Sequence, residues 1–124
     1  ENKIKMMQMK YTISLTVSLL TCMVALGQDV PSKNEMTEFT VNGNCEMCKK
    51  RIEAAALNIK GVKMVRWDIP TRVLNVVYNA KKLNIESIHQ AVAAVGHDTP
   101  IATAPDSVYA ALPLCCLYER NDYN

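Results

Sequence analysis

A chain of 124 residues, 49% hydrophobic and with a formal net charge of +2, has room for one small domain. Its 14 basic and 12 acidic side chains are scattered, and no basic stripe with interleaved aromatics exists, so a nucleic-acid partner is not expected. No heptad, collagen or low-complexity pattern is present either.

Lys3, Lys5 and Lys10 precede an apolar run from Tyr11 to Leu26, and Ala25-Leu26-Gly27 puts small residues where a signal peptidase reads. This predicts a signal peptide over 1–27, cleaved after Gly27, and a periplasmic or secreted product. The run is shorter than the ~20 residues of a spanning helix, so no stable membrane anchor is expected after cleavage. A lipoprotein signal ending at Cys22 is the alternative, although Thr21 is a poor residue before a lipidated cysteine. Residues 28–124 carry equal numbers of acidic and basic side chains, which removes attraction to anionic surfaces as a theme. Four cysteines remain there: Cys45, Cys48, Cys115 and Cys116.

Residues 28–36 are polar, contain Pro31 and read as a flexible lead-in. Thr37–Asn42 alternates, with Phe39 and Val41 on one face, and predicts a strand. Asn42-Gly43-Asn44 is turn chemistry. A helical stripe follows through Cys48, Ile52, Ala55 or Ala56, and Ile59, and Gly61 suits its left-handed cap. Val62–Ile69 and Val73–Tyr78 read as strands joined by a tight turn at Pro70-Thr71-Arg72, with Val62 one step out of phase. Asn84 is a good N-cap for a helix carrying Ile85, Ile88, Val92 and Val95, stopped by Gly96. Thr99–Thr103 is a weak last strand, with Pro100 suited to a sheet edge. The order βαββαβ predicts an α+β, ferredoxin-like sandwich: a four-stranded antiparallel sheet with two helices on one face, spanning 37–104. In the tail, 105–124, Pro105 opens a short helix and Val108, Tyr109 and Leu112 dock it on the sheet. Pro113 ends that helix and leaves Cys115-Cys116 on a mobile segment.

Cys45 lies just before the first helix and Cys48 in its first turn. Unpaired N–H groups and the helix dipole favour thiolates there, with Lys49, Lys50 and Arg51 adding positive charge. A depressed thiol pKa serves metal binding and redox chemistry equally. The context separates them in part. A hairpin follows the helix, and no later proline lies where a thioredoxin-type site needs one. A local disulfide would close a very short loop and stabilise little. Adjacent Cys115-Cys116 is poor spacing for a four-cysteine zinc site.

Cys45-x-x-Cys48 between the first strand and helix, the Gly61-Val62 helix exit, the hairpin and Gly96 together resemble the heavy-metal-associated domain family, which includes copper chaperones and periplasmic mercury-binding proteins. The resemblance covers about Glu38 to Thr103. It implies that Cys45 and Cys48 hold one soft ion as thiolates, Cu(I) or Hg(II) ahead of Zn(II) or Cd(II). It also implies a monomeric binding protein, not an enzyme, that sequesters the ion or passes it to a metal-transporting membrane protein or efflux component. The different-class alternative is a small thiol–disulfide redox protein using the same pair. The family usually carries Gly-Met-Thr before the first cysteine, with the Met packed under the loop; here Asn42-Gly43-Asn44 stands instead. Met47, between the cysteines, reads as a packing or exposed residue rather than a ligand. His97 occupies a loop that faces the metal loop in the family, as either a solvated side chain or an auxiliary ligand. His89 reads as solvated. Cys115 and Cys116 are candidates for a vicinal disulfide, for a pairing with Cys45 or Cys48, or, when reduced, for auxiliary metal ligands that complete the loop's coordination shell or form a second soft-metal thiol pair.

Overall fold

The computed structural model describes residues 1–10 and 33–120. The chain divides into two compact units, Glu1–Pro31 and Ser32–Asn124. In the first, residues 2–10 are helical, while the apolar run and cleavage site of the expected leader lie outside the described residues. No helix among the described residues is long and apolar enough to cross a membrane.

The second unit runs β1 (Asn34–Thr40), α1 (Glu46–Leu57), β2 (Val62–Trp67), β3 (Val73–Asn79), α2 (Ile85–Ala94) and α3 (Asp106–Ala110), then a 3₁₀ turn at Leu114–Cys116. β3 is central and pairs antiparallel with both neighbours, in the order β1-β3-β2. Alternation does what the sequence promises: Leu74, Val76 and Tyr78 of β3 point into the core. The out-of-phase Val62 is absorbed by a register shift between Val62 and Met64. α1 buries Cys48, Ile52 and Ala56, and α2 buries Ile88 and Val92, each on a stripe of helical period. Asn84 caps α2 by accepting the Ser87 N–H at 3.1 Å. In the hairpin turn Asp68 accepts from the Thr71 N–H and hydroxyl, and Arg72 takes a left-handed φ of 58°.

Two expectations need correction. β1 begins at Asn34, so the segment read as a flexible lead-in ends inside a strand. No fourth strand forms among the described residues. Thr99–Thr103 satisfies its polar groups locally: Thr99 N–H donates to the Ala102 carbonyl (2.9 Å), and Ala102 N–H donates to the Thr99 hydroxyl (3.1 Å). The Ala104 N–H goes to Asp98 Oδ1 at 2.7 Å. With Pro100 contributing no donor, little is left to build a ladder along β1. The Asn42 N–H to Asp98 carbonyl bond (2.9 Å) ties the segment to the chain leaving β1.

Trp67 closes the core beneath the β1–α1 loop. Its indole N–H is shared between the Val41 and Arg72 carbonyls at 3.2 Å each. Glu53 and Lys49 of α1 clamp its backbone N–H and carbonyl at 2.8 Å each. A side chain at Gly43 would meet the Trp67 ring at 3.0 Å and Cys48 Cβ at 3.1 Å, so glycine is what lets this loop lie on the indole.

Candidate metal centre

The loop 42–45 is held from three sides. Asn42 and Gly43 are buried. Cys45 is the N-cap of α1, in extended conformation, and its carbonyl accepts the Lys49 N–H at 3.0 Å. The Asn44 N–H points at Cys48 Sγ (3.4 Å), and the Asn44 side-chain amide donates to the Leu117 carbonyl at 2.9 Å. That last bond ties the loop to the tail.

The tail then delivers sulfur. Cys45 Sγ lies 3.4 Å from Cys48 Sγ and 3.7 Å from Cys116 Sγ, and Cys116 Sγ lies 3.9 Å from Cys115 Sγ. The sulfurs of Cys45, Cys115 and Cys116 all lie within 4.8 Å of one another. An ion with metal–sulfur bonds of about 2.3 Å sets its sulfurs about 3.8–4.0 Å apart in tetrahedral or trigonal coordination. The spacings found are close to that. All four thiols are unbridged. Cys48 and Cys116 are buried, Cys45 is half-buried and Cys115 is exposed. Cys116, expected on a mobile segment, is instead part of the core.

Their protonation differs for physical reasons. Burial pushes the Cys45 thiol up, but the Cys48 backbone N–H and the thiols of Cys48, Cys115 and Cys116 donate to it and bring it down to about 7. Burial pushes Cys116 well above the ordinary thiol range, and its neighbours Cys48 and Cys45 push it further. Cys45 therefore gives up its proton more readily than Cys116.

A polar clasp fixes the tail. Arg120 grips Asp98 through two bonds, Nε to Oδ2 at 2.7 Å and Nη2 to Oδ1 at 2.8 Å, reaches Asp106 Oδ1 at 2.7 Å, and lies over the Tyr109 ring at 4.7 Å. The buried Tyr118 hydroxyl accepts from the Asp98 N–H and donates to the Gly96 carbonyl, both at 2.9 Å. Burial pushes the Asp98 carboxyl up, but bonds from Arg120 and the Ala104 N–H outweigh this and hold it below the usual carboxylate range. Leu112 packs on Gly96, where a Cβ would meet it at 2.9 Å, and Gly96 takes φ 105°. None of Asp98, Tyr118 and Arg120 stands out by sequence period; an Arg–Asp pair flanking a cysteine-bearing tail is the one signal that could have suggested them.

Neither histidine is a surface residue. His89 stacks on Phe39 with centroids 3.7 Å apart and bonds the Thr99 hydroxyl at 2.8 Å. His97 is fully buried, stacks against Tyr118 and donates from Nδ1 to the Asn42 carbonyl at 2.8 Å. It braces the metal loop and is not gathered with the thiols. Burial lowers both imidazole pKa values below the ordinary 6.5. The unfolded chain therefore takes up these protons first, so the stability they contribute is complete above about pH 6.5 and is lost as pH falls below it. The unfolding free energy, and the denaturant midpoint with it, is expected to fall as pH drops below about 6.5, with a limiting slope of about 1.4 kcal/mol per histidine per pH unit. His97→Asn, which retains an amide donor, should lose part of that dependence; identical pH profiles would mean that His97 titrates alike in both states.

Residues 38–98 match the family model of the heavy-metal-associated domain. Among solved structures, the CopZ metallochaperone aligns at 26% identity and TM-score 0.51, over 52% of this chain and 98% of its own. The N-terminal domain of a potential copper-translocating P-type ATPase from Bacillus subtilis, in the Cu(I)-loaded state, aligns at 28% identity and TM-score 0.51, over 53% of this chain and 84% of its own. Oxidized MerP from Ralstonia metallidurans CH34, at 22% identity and TM-score 0.51 over 53% of this chain and 93% of its own, shares the fold. No curated protein matches the chain. Cys115, Cys116 and the clasp residue Arg120 lie beyond the matched stretch. With its Cys-x-x-Cys loop, its helices and its hairpin, the stretch 38–98 is what matches the heavy-metal-associated domain family.

Proposed function

We propose that this protein is an exported carrier of one soft metal ion, Cu(I) or Hg(II) ahead of Zn(II) or Cd(II), and that it sequesters the ion or passes it to a metal-transporting membrane protein. The observation that carries this reading is the cluster in which Cys45 Sγ stands 3.4 Å from Cys48 and 3.7 Å from Cys116. Thiolates in a preformed group of two or three suit soft ions that accept low coordination numbers. Release follows from the burial gradient. An incoming partner thiolate attacks the ion and displaces Cys45, the half-buried N-cap ligand, first, while Cys48 stays anchored in the helix.

Anaerobic titration of the reduced protein with Cu(I) against a chromophoric chelator is expected to give one tightly held equivalent and to release protons. A protein that leaves Cu(I) and Hg(II) with a weak chelator would sink the proposal. The low pKa of Cys45 also favours a second reading, thiol–disulfide exchange through Cys45 and Cys48. Insulin reduction at catalytic rates, without metal retention, would favour that alternative.

A further inference from the structure

On the outer side of the cluster, Cys115 Sγ, within 4.8 Å of the sulfurs of Cys45 and Cys116, lies 3.5 Å from Met47 Sδ. Cys115 is exposed, and Met47, in the first turn of α1, is 49% exposed. Neither side chain has a packing reason to be there: Met47 is outside the core, and the adjoining Leu114 is 88% exposed. The sulfurs therefore form a continuous path from solvent to the buried end of the site. Met47 and Cys115 stand at the rim, the buried Cys116 lies 3.9 Å from Cys115, and the half-buried Cys45 lies 3.7 Å from Cys116 and 3.4 Å from the buried Cys48.

We propose that Cys115 and Met47 form an outer subsite for a monovalent soft cation, the class of Cu(I) and Ag(I), through which the ion enters and leaves the inner thiol cluster. This rests on the reading of that cluster as a soft-metal site. One thiolate and one neutral thioether balance a single positive charge and complete a two-coordinate shell. A thioether is a poor ligand for harder divalent ions, so the rim discriminates by ligand softness before the ion reaches the thiols that would also hold Zn(II). The steps are ligand exchanges with no change of oxidation state. Cys115 loses its proton to solvent as its sulfur and the Met47 thioether bond the ion and the donor's thiolate departs. Cys45 then bonds the ion as the Met47 bond breaks, with Cys116 giving up its proton as it joins. Finally Cys48 bonds the ion, giving up its proton, as the Cys115 bond breaks and that thiol is reprotonated. Release runs the same path outward.

The test uses the reduced full chain. Met47→Leu retains the volume and apolar character of an exposed side chain, and Cys115→Ser changes one exposed atom, so neither threatens folding. Each is expected to slow the stripping of bound Cu(I) by a bathocuproine chelator, measured by stopped flow, by about tenfold or more, the size of effect seen for residues supporting a metal site. In protein labelled with 13C-methyl methionine, the second equivalent of Ag(I) is expected to shift the Met47 methyl, while exposed Met36 and Met64 serve as internal controls. If both variants release Cu(I) at the parent rate, the outer subsite is overturned, whereas tight binding of the first equivalent leaves the inner cluster standing. If the first equivalent does not bind, the inner reading fails and the rim falls with it.

Discussion

Truncation after Leu112 is expected to unfold the domain or leave it close to its midpoint without denaturant. Read from sequence, such a truncation removes two thiols and leaves the core intact. The structure argues otherwise. Tyr118 is 2% exposed and Cys116 fully buried, and both belong to the core cluster. An aromatic side chain buries about 150–250 Å², worth about 4–6 kcal/mol at about 25 cal/mol per Å², and this is an upper figure because unfolded chains are partly compact. Losing Arg120 also strips Asp98, only 3% exposed, of its bidentate partner, although the solvent admitted by truncation relieves part of that cost. A domain of this size has about 5–10 kcal/mol in all, so a loss of about 5 kcal/mol is comparable with the whole. The single Trp, buried at position 67 beside the metal loop, gives a fluorescence signal for the transition. A truncated protein with the parent's urea midpoint would make the tail a passenger.

The parts legible in sequence are those where one local signal decides. Alternation placed Leu74, Val76 and Tyr78 inward, the helical stripe found Cys48, Ile52 and Ala56, and Asn84 capped its helix through a side chain that has few other uses there. What escaped depends on contacts between residues distant in the chain. Thr99–Thr103 has strand-like composition, but the N–H groups of Thr99 and Ala102 are taken by Ala102 and Thr99 and that of the adjoining Ala104 by Asp98, a competition that no period reveals. His89 and His97 look like surface residues because their partners, Thr99 and Asn42, are supplied by the fold. The Cys-x-x-Cys loop was readable as a site. That the tail thiols could join that site was readable as one option, but that Cys116 is fixed in the core beside Cys45 was not, because its placement depends on Tyr118 and Arg120, whose role appears only once Asp98 is folded beside them.

Replacing both loop cysteines, Cys45→Ser/Cys48→Ser, is expected to lower soft-metal affinity by about 10⁴-fold or more. Four-ligand structural zinc sites are worth about 10–16 kcal/mol, or about 3 kcal/mol per ligand, and two lost ligands remove about 6 kcal/mol. Serine does not substitute, because its hydroxyl is a hard donor that stays protonated at neutral pH. Cys116→Ala separates the two pictures of the inner site. Its sulfur is within 3.7 Å of Cys45, so if it is a third ligand its loss should cost about 3 kcal/mol, roughly 10²-fold in affinity. X-ray absorption on the copper-loaded protein should then change from three sulfur neighbours to two. Alanine is the right replacement, because a serine hydroxyl buried at that position would add an unsatisfied polar group and confound stability with binding. Undiminished affinity in the double variant removes the loop pair from the site. Full affinity and an unchanged sulfur count in Cys116→Ala would instead leave a two-coordinate ion between Cys45 and Cys48, with Cys116 serving only to pack the tail against the loop.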